Sequence, residues 1–162
     1  MRITARSAVL VAVAAVVALG PSACGKDSKG GGKDAAGTLG KKPSVSVPSG
    51  SAPTTLQKTD LIAGTGAEAV TGKKVTVQYV GVSFSTKKQF DASWDRGEPF
   101  SFVLGQGRVI QGWDDGVPGM KVGGRRQLVI PPDLAYGPEG SPPVIGPNET
   151  LVFVVDLIGV RR

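Results

Sequence analysis

From Leu56 to the C-terminus, apolar and polar residues exchange places with a period of two in several short runs and with a helical period in one. Val75, Val77 and Tyr79 alternate with Thr76 and Gln78, the pattern of a half-buried strand. Phe100, Phe102 and Leu104 alternate with Ser101 and Val103 in the same way. Leu56–Ile62 predicts an edge strand closed by Gly64-Thr65-Gly66, and Gln127–Ile130 a short strand stopped by Pro131-Pro132, because proline brings no amide donor to a ladder. Leu151–Ile158 is β-branched and apolar almost throughout, which predicts a central strand. Val109, Ile110, Trp113 and Val117 fall on one face of a short helix, and Pro118-Gly119 ends it because a residue before proline avoids helical backbone angles. Five strands and one short helix predict an α+β domain with a mostly antiparallel sheet. Between the last two strands, Pro131–Asn148 holds six prolines and three glycines with no periodicity. A loop of that length in a compact domain is usually functional, and Tyr136, Val144 and Ile145 give it apolar contacts to make.

The pattern before Leu56 is of another kind. Arg2 and Arg6 precede an apolar run from Ala8 to Leu19, followed by the small residues Ser22 and Ala23. Such an order describes a secretory signal peptide over residues 1–23. The run is too short for a hydrocarbon core about 30 Å thick, which needs about 20 residues. Ser22-Ala23-Cys24 is similar to the lipobox of exported bacterial lipoproteins, which places Cys24 as the acylated new N-terminus. Pro21 departs from that pattern, which favours an aliphatic residue there; the alternative is a secreted protein with a free thiol. Residues 24–55 are dominated by Gly, Ser, Lys, Pro and Ala and hold no aromatic residue. Too little apolar surface is present to offset ordering entropy, so the segment is expected to be a flexible tether with a reach of about 30 Å. The folded domain is then residues 56–162.

Composition narrows the chemistry. The 162 residues include no histidine and one cysteine, which removes Ser-His-Asp and Cys-His nucleophilic sites, His-bearing metal sites and intrachain disulfides. The net charge of +6 invites a nucleic-acid reading until its distribution is followed. Arg2 and Arg6 carry +2, and in residues 25–57 five lysines against Asp27 and Asp34 carry +3. Only +1 remains for residues 58–162, so a nucleic-acid partner is not expected, whereas the basic tether suits an anionic membrane surface. Gly66–Lys73 lacks the spacing and hydroxyl of a phosphate-binding loop. Gly105-Gln106-Gly107 is a fragment of a dinucleotide fingerprint. Asp91, Asp95, Glu98, Asp114 and Asp115 are interspersed with Arg96, Arg108, Arg125 and Arg126, which reads as a solvated, ion-paired surface rather than a metal site.

Nine aromatic residues all follow residue 78, and the strings around them occur in a telling order: VTVQYVG (75–81), QFDASWDRGEPFSFVLG (89–105), VIQGWDDGVPGMKVGGRRQLVIP (109–131), LAYG (134–137) and TLVFVVDLIGV (150–160). Together they strongly resemble the FKBP-type peptidyl-prolyl cis-trans isomerases, from about Leu56 to Val160. The resemblance implies an antiparallel sheet of roughly five strands curled around one short helix, with a pocket between them. It places Trp113 at the pocket floor and Tyr79, Phe90, Phe100 and Phe153 in its walls, with Val109, Ile110 and Ile145. Phe102 is then plain core, and Phe84 and Trp94 have no claim on the pocket. The backbone N–H of Ile110 and the hydroxyl of Tyr136 are implied to bind ligand carbonyls. The Asp91 carboxylate faces the pocket, oriented by Arg96 and the Tyr79 hydroxyl; a purely structural ion pair is the alternative for Asp91 and Arg96. No cofactor and no metal is implied. The implied partners are proline-containing unfolded polypeptides and macrolides such as rapamycin, the expected state is a monomer, and the expected location is the outer face of the cytoplasmic membrane. Ser141-Pro142-Pro143 stands where several family members have histidine before a Pro-Gly, which removes a ring from the pocket rim. Two other readings stay open at this point: a chaperone-like module that grips proline segments without turnover, and a solute-binding or structural lipoprotein.

Overall fold

The structure is a computed structural model and describes residues 39–161. The signal peptide and Cys24 lie outside the described residues. Six strands form one antiparallel sheet: β1 (Gln57–Ile62), β2 (Lys74–Ser83), β3 (Gln89–Ala92), β4 (Phe100–Val103), β5 (Gly124–Ile130) and β6 (Leu151–Arg161). The order across the sheet is β1-β5-β6-β2-β3, and β4 pairs with the other half of the edge that β2 offers to β3. Helix α1 (Ser93–Arg96) is a single turn after β3, and helix α2 (Gln111–Gly116) lies between β4 and β5. The fold is the curved antiparallel sheet that the sequence predicts, with a sixth strand. That strand is β3, whose QFDA sequence offers one large apolar residue and no alternation to read.

The long strands form where alternation is strongest. On the concave face Val75, Val77 and Tyr79 from β2 meet Leu151, Phe153, Val155 and Leu157 from β6 in one core with Trp113 and Val117 of the α2 region. Two glycines one helical turn apart let α2 lie flat on β5. A Cβ on Gly112 would stand 2.3 Å from Ile130 Cγ2, and one on Gly116 would stand 2.8 Å from Leu128 Cδ2. The close approach drives Trp113 into the concavity.

The convex face is covered by a segment that composition alone assigns to the tether. Val45 and Val47 pack on Val80, Val82 and Ala92, and on Phe84, Val129 and Val152. Pro43 is buried beside them. Polar contacts hold this strap, among them Lys42 Nζ on Asp95 Oδ1 at 2.5 Å, Arg125 Nη2 on the Lys41 carbonyl at 3.1 Å and Gln127 Nε2 on the Ser46 carbonyl at 2.6 Å. The expectation of a flexible coil reaching residue 55 is therefore corrected for residues 41–47. The residues alternate, Pro43, Val45 and Val47 inward and Ser44 and Ser46 outward, and the exposed face of β2 and β6 gives the inward set something to bury.

The arginines also differ from expectation. Arg125 is fully buried and donates through Nε and Nη2 to both oxygens of Asp156 at 2.5 and 2.6 Å. Arg126 is buried as well and spans Asp60 and the carbonyls of Gly116 and Pro118. It pins the C-terminal end of α2 to β1 and β5. They belong to the frame of the sheet, not to a solvated surface; a buried ion is tolerated only with such pairing.

Candidate functional site

Strands β2, β4 and β6 bring four rings around Trp113 of α2. Its ring centroid lies 5.0 Å from Tyr79, 5.2 Å from Phe153, 5.7 Å from Phe102 and 6.2 Å from Phe100. The rings of Tyr79 and Phe153 stand nearly perpendicular to it, at 86° and 87°, the edge-to-face geometry that ring quadrupoles favour. Phe90 extends the wall, perpendicular to Phe153 at 5.5 Å. Gly81 makes room for it: a Cβ there would sit 2.6 Å from Phe90 and 2.8 Å from Phe153. Tyr79, Phe90, Phe100, Trp113 and Phe153 line a pocket of about 200 Å³ with Val109, Ile110, Asp91, Arg108 and Tyr136. Trp113 and Phe153 are buried, whereas Phe90 and Phe100 are half-buried, so the pocket is an apolar bowl open at one side.

One polar network occupies its rim. The Tyr79 hydroxyl donates to Asp91 Oδ2 at 2.5 Å and accepts from Arg96 Nη2 at 2.8 Å. Arg96 Nη1 is ion-paired with Asp91 Oδ1. The arginine is delivered by α1, which the buried Ser93 hydroxyl anchors by accepting the Tyr79 N–H at 2.8 Å and donating to Gln78. Burial, and then the hydrogen bond to Asp91, raise the Tyr79 phenol above its ordinary value. The Arg96 guanidinium is raised too, by the Tyr79 hydroxyl and then by Asp91. The network holds the carboxylate in one orientation and matches its charge.

Several donors in the pocket lining have no partner among the described residues, the buried Trp113 Nε1 and the Arg108 guanidinium among them, and two more are the Ile110 N–H and the Tyr136 hydroxyl. Ile110 caps the start of α2 with extended backbone angles, its carbonyl taken by the N–H groups of Trp113 and Asp114. Its own N–H meets no acceptor. The Tyr136 hydroxyl is likewise unpaired, on a side chain that is 42% exposed. The loop that carries Tyr136 is tied to itself: Gly140 N–H to the Tyr136 carbonyl at 3.1 Å, Ser141 N–H to the Ile145 carbonyl at 2.9 Å, and Asn148 N–H to the Gly137 carbonyl at 2.9 Å. An apolar bowl with free donors and one fixed carboxylate can hold a ring and bind carbonyl oxygens. It presents no nucleophile with an adjacent base, and among the described residues no group of acids is arranged to hold a metal ion.

A profile of the FKBP-type peptidyl-prolyl cis-trans isomerases matches residues 66–158. The chain belongs to that family. It is 54% identical to an FK506-binding protein of Streptomyces anulatus over 121 residues, covering 74% of this chain and 98% of the relative. It is 56% identical to a probable FK506-binding protein of Corynebacterium glutamicum over 119 residues, covering 73% of this chain and 98% of that one. A crystal structure of AtFKBP13 superposes with a TM-score of 0.61 at 40% identity, over 67% of this chain and 94% of the other. FkpA from Escherichia coli superposes with the same score at 45% identity, over 67% of this chain and 49% of that one. The chain is an FKBP-type peptidyl-prolyl cis-trans isomerase.

Set on this FKBP domain, nearly all the expected site residues converge. Trp113, Tyr79, Phe90, Phe100, Phe153, Val109, Ile110, Asp91 and Tyr136 line one pocket, and Arg96 reaches Asp91 from outside it. Phe102 is core, while Phe84 and Trp94 lie with the convex-face clusters. Ile145 is the exception: it is buried in the main core and does not line the pocket. The short antiparallel bridge between Ser141 and Ile145 fixes its backbone and turns the side chain inward. Arg108 is the residue that sequence reasoning missed, because an exposed arginine between Gly107 and Val109 carries no signal of where the loop will aim it. A second cleft, of about 240 Å³ between Ile62, Gly64, Met120 and Lys121, has no aromatic lining, and its Asp60 and Arg126 are engaged with each other.

Proposed function

We propose that the aromatic pocket is where this isomerase turns X-Pro bonds, and that it does so by solvation and fit, without proton transfer. The observation that carries the reading is the aromatic bowl around Trp113 with the unpartnered Ile110 N–H and Tyr136 hydroxyl in its lining. An X-Pro amide crosses a barrier of about 18–20 kcal/mol because twisting destroys its resonance. The planar amide is more dipolar than the twisted one, so a water-poor apolar cavity penalises the ground state relative to the transition state. Tyr79, Phe100 and Trp113 hold the proline ring while the preceding carbonyl swings. The Ile110 N–H and the Tyr136 hydroxyl take substrate carbonyls, and Asp91, held by Arg96 and Tyr79, stabilises the twisted amide. Lowering the barrier by about 4 kcal/mol is enough for a roughly 10³-fold acceleration.

The clients are unfolded or flexible polypeptides outside the cytoplasmic membrane, and the protein works there as a monomer anchored through lipidated Cys24. The part of the expected tether before residue 39 lies outside the described residues. The names of the relatives support a pocket that also takes FK506-like macrolides.

A protease-coupled assay on proline peptides tests the activity. Asp91→Leu and Tyr136→Phe should each lower it with the fold intact, and unchanged rates in both would remove their assigned roles. A folded protein that binds the peptide without accelerating it would reduce the site to a chaperone-like grip. Calorimetry with rapamycin reads the openness of the pocket directly. Mass spectrometry of the exported protein tests the anchor, since an unmodified thiol on Cys24 excludes it.

A further inference from the structure

Arg108 lines the pocket, yet its guanidinium makes no hydrogen bond, ion pair or ring contact among the described residues. The backbone before it is tightly held. The Asp114 carboxylate accepts the N–H of Gly105 at 2.8 Å and of Gly107 at 2.9 Å, so the loop cannot carry the arginine away from the mouth. The side chain itself is exposed. The only other charged group in the lining is Asp91, and Arg96 already matches it. The acids of the adjoining helix, Asp114 and Asp115, form no ion pair with Arg108, and Asp114 is occupied by the two amides. One unmatched cation therefore stands at the edge of an otherwise apolar bowl.

We propose that Arg108 sets the charge preference of the isomerase, favouring proline segments with a carboxylate one or two residues from the proline. The inference rests on the pocket as the proline site. With the ring in the bowl, the flanking chain must lie across the mouth, and each residue spans about 3.3–3.6 Å. A Glu or Asp next to the proline, or one further along, then falls within reach of a long guanidinium side chain. Guanidinium and carboxylate match as a planar, bidentate pair. Because the pair stays in contact with water, the gain is modest and sensitive to salt.

The test uses the full chain and two series of short proline peptides, with Glu, Gln or Lys either before or after the proline. Exchange NMR gives kcat/KM for each. The wild type should favour Glu over Lys by about three- to tenfold in at least one series, with Gln between, and added salt should compress the ratio. Arg108→Gln should bring the ratio close to one, and Arg108→Glu should invert it. Since Arg108 is exposed, both variants should melt with the wild type. A wild-type ratio within twofold of one in both series overturns the proposal, as does a preference for Glu that survives Arg108→Glu. If the Gln peptides are not accelerated at all, the isomerase reading of the pocket fails too. If they are accelerated at a flat ratio, only the role of Arg108 fails.

Discussion

The strap yields the sharpest test of how the domain is bounded. Val45 and Val47 each lie half-buried against the convex face of β2, β5 and β6. Replacing both with alanine removes two methyl groups at each site, worth about 0.8 kcal/mol per buried carbon. At half burial the loss is about 0.8 kcal/mol per residue, or about 1.5 kcal/mol for the pair. For a domain of this size that corresponds to a fall in Tm of about 4–8 °C. Urea unfolding followed by tryptophan fluorescence is the assay, and Trp94, which packs in the same cluster as Val45 and Val47, reports on the patch itself. The midpoint should fall at unchanged slope. Val70→Ala is the control: Val70 is 49% exposed and its replacement should lie within about 0.5 kcal/mol of wild type. The kcat/KM of the double variant should match the wild type at a temperature where both are folded, because the pocket opens on the other face of the sheet. A double variant that unfolds together with the wild type would show that residues 41–47 are tether after all.

Other expectations follow from single contacts. Gly112→Ala drives a Cβ toward Ile130 and should cost about 1–3 kcal/mol by urea unfolding, with a lowered isomerisation rate as α2 lifts and Trp113 shifts; an unchanged midpoint would mean that α2 yields without strain. In Tyr136→Phe only Tyr79 remains to titrate, and its tyrosinate absorbance should rise above the ordinary phenol value of 10.0, with the stability tied to the neutral phenol fully present below that pH and lost above it; a midpoint at or below the ordinary value refutes the network. Glu149 is pushed up by burial, but the N–H and hydroxyl of Ser85 and the Ser83 hydroxyl outweigh this and hold it below its ordinary 4.5. Its contribution is therefore present above that pH and lost as pH falls through the lower folded-state value. The stability difference between wild type and Glu149→Gln should shrink below about pH 4.5, and a difference constant down to acid unfolding would contradict it.

Much of this was legible where chemistry and periodicity coincide. The alternation of Val75, Val77 and Tyr79 and the apolar run of Leu151–Leu157 mark the two strands on which the pocket is built, and the Val109–Val117 spacing marks the helix that supplies its floor. What stayed hidden depends on partners distant in sequence. β3 is a strand only because Val80–Val82 offer it a ladder. Arg125 is buried because Asp156, 31 residues away, accepts from its Nε and Nη2. Pro43, Val45 and Val47 alternate as a strand does, but Ser, Lys and Pro around them mask the signal, and only the uncovered sheet face gives it meaning. Ile145 and Arg108 exchange places relative to expectation, one turning into the core and the other toward the pocket, because loop backbone decides both.

The central claim is that an apolar pocket turns the X-Pro amide without moving a proton. The most direct measurement is kcat/KM for a neutral proline peptide across the neutral pH range, in H₂O and in D₂O. The account predicts acceleration by the wild type with a flat profile between about pH 6 and 8, because no step moves a proton, and a solvent isotope effect close to one. A bell-shaped profile over that range or a two- to threefold isotope effect would show that an acid or base takes part in the rate-limiting step, and would contradict it.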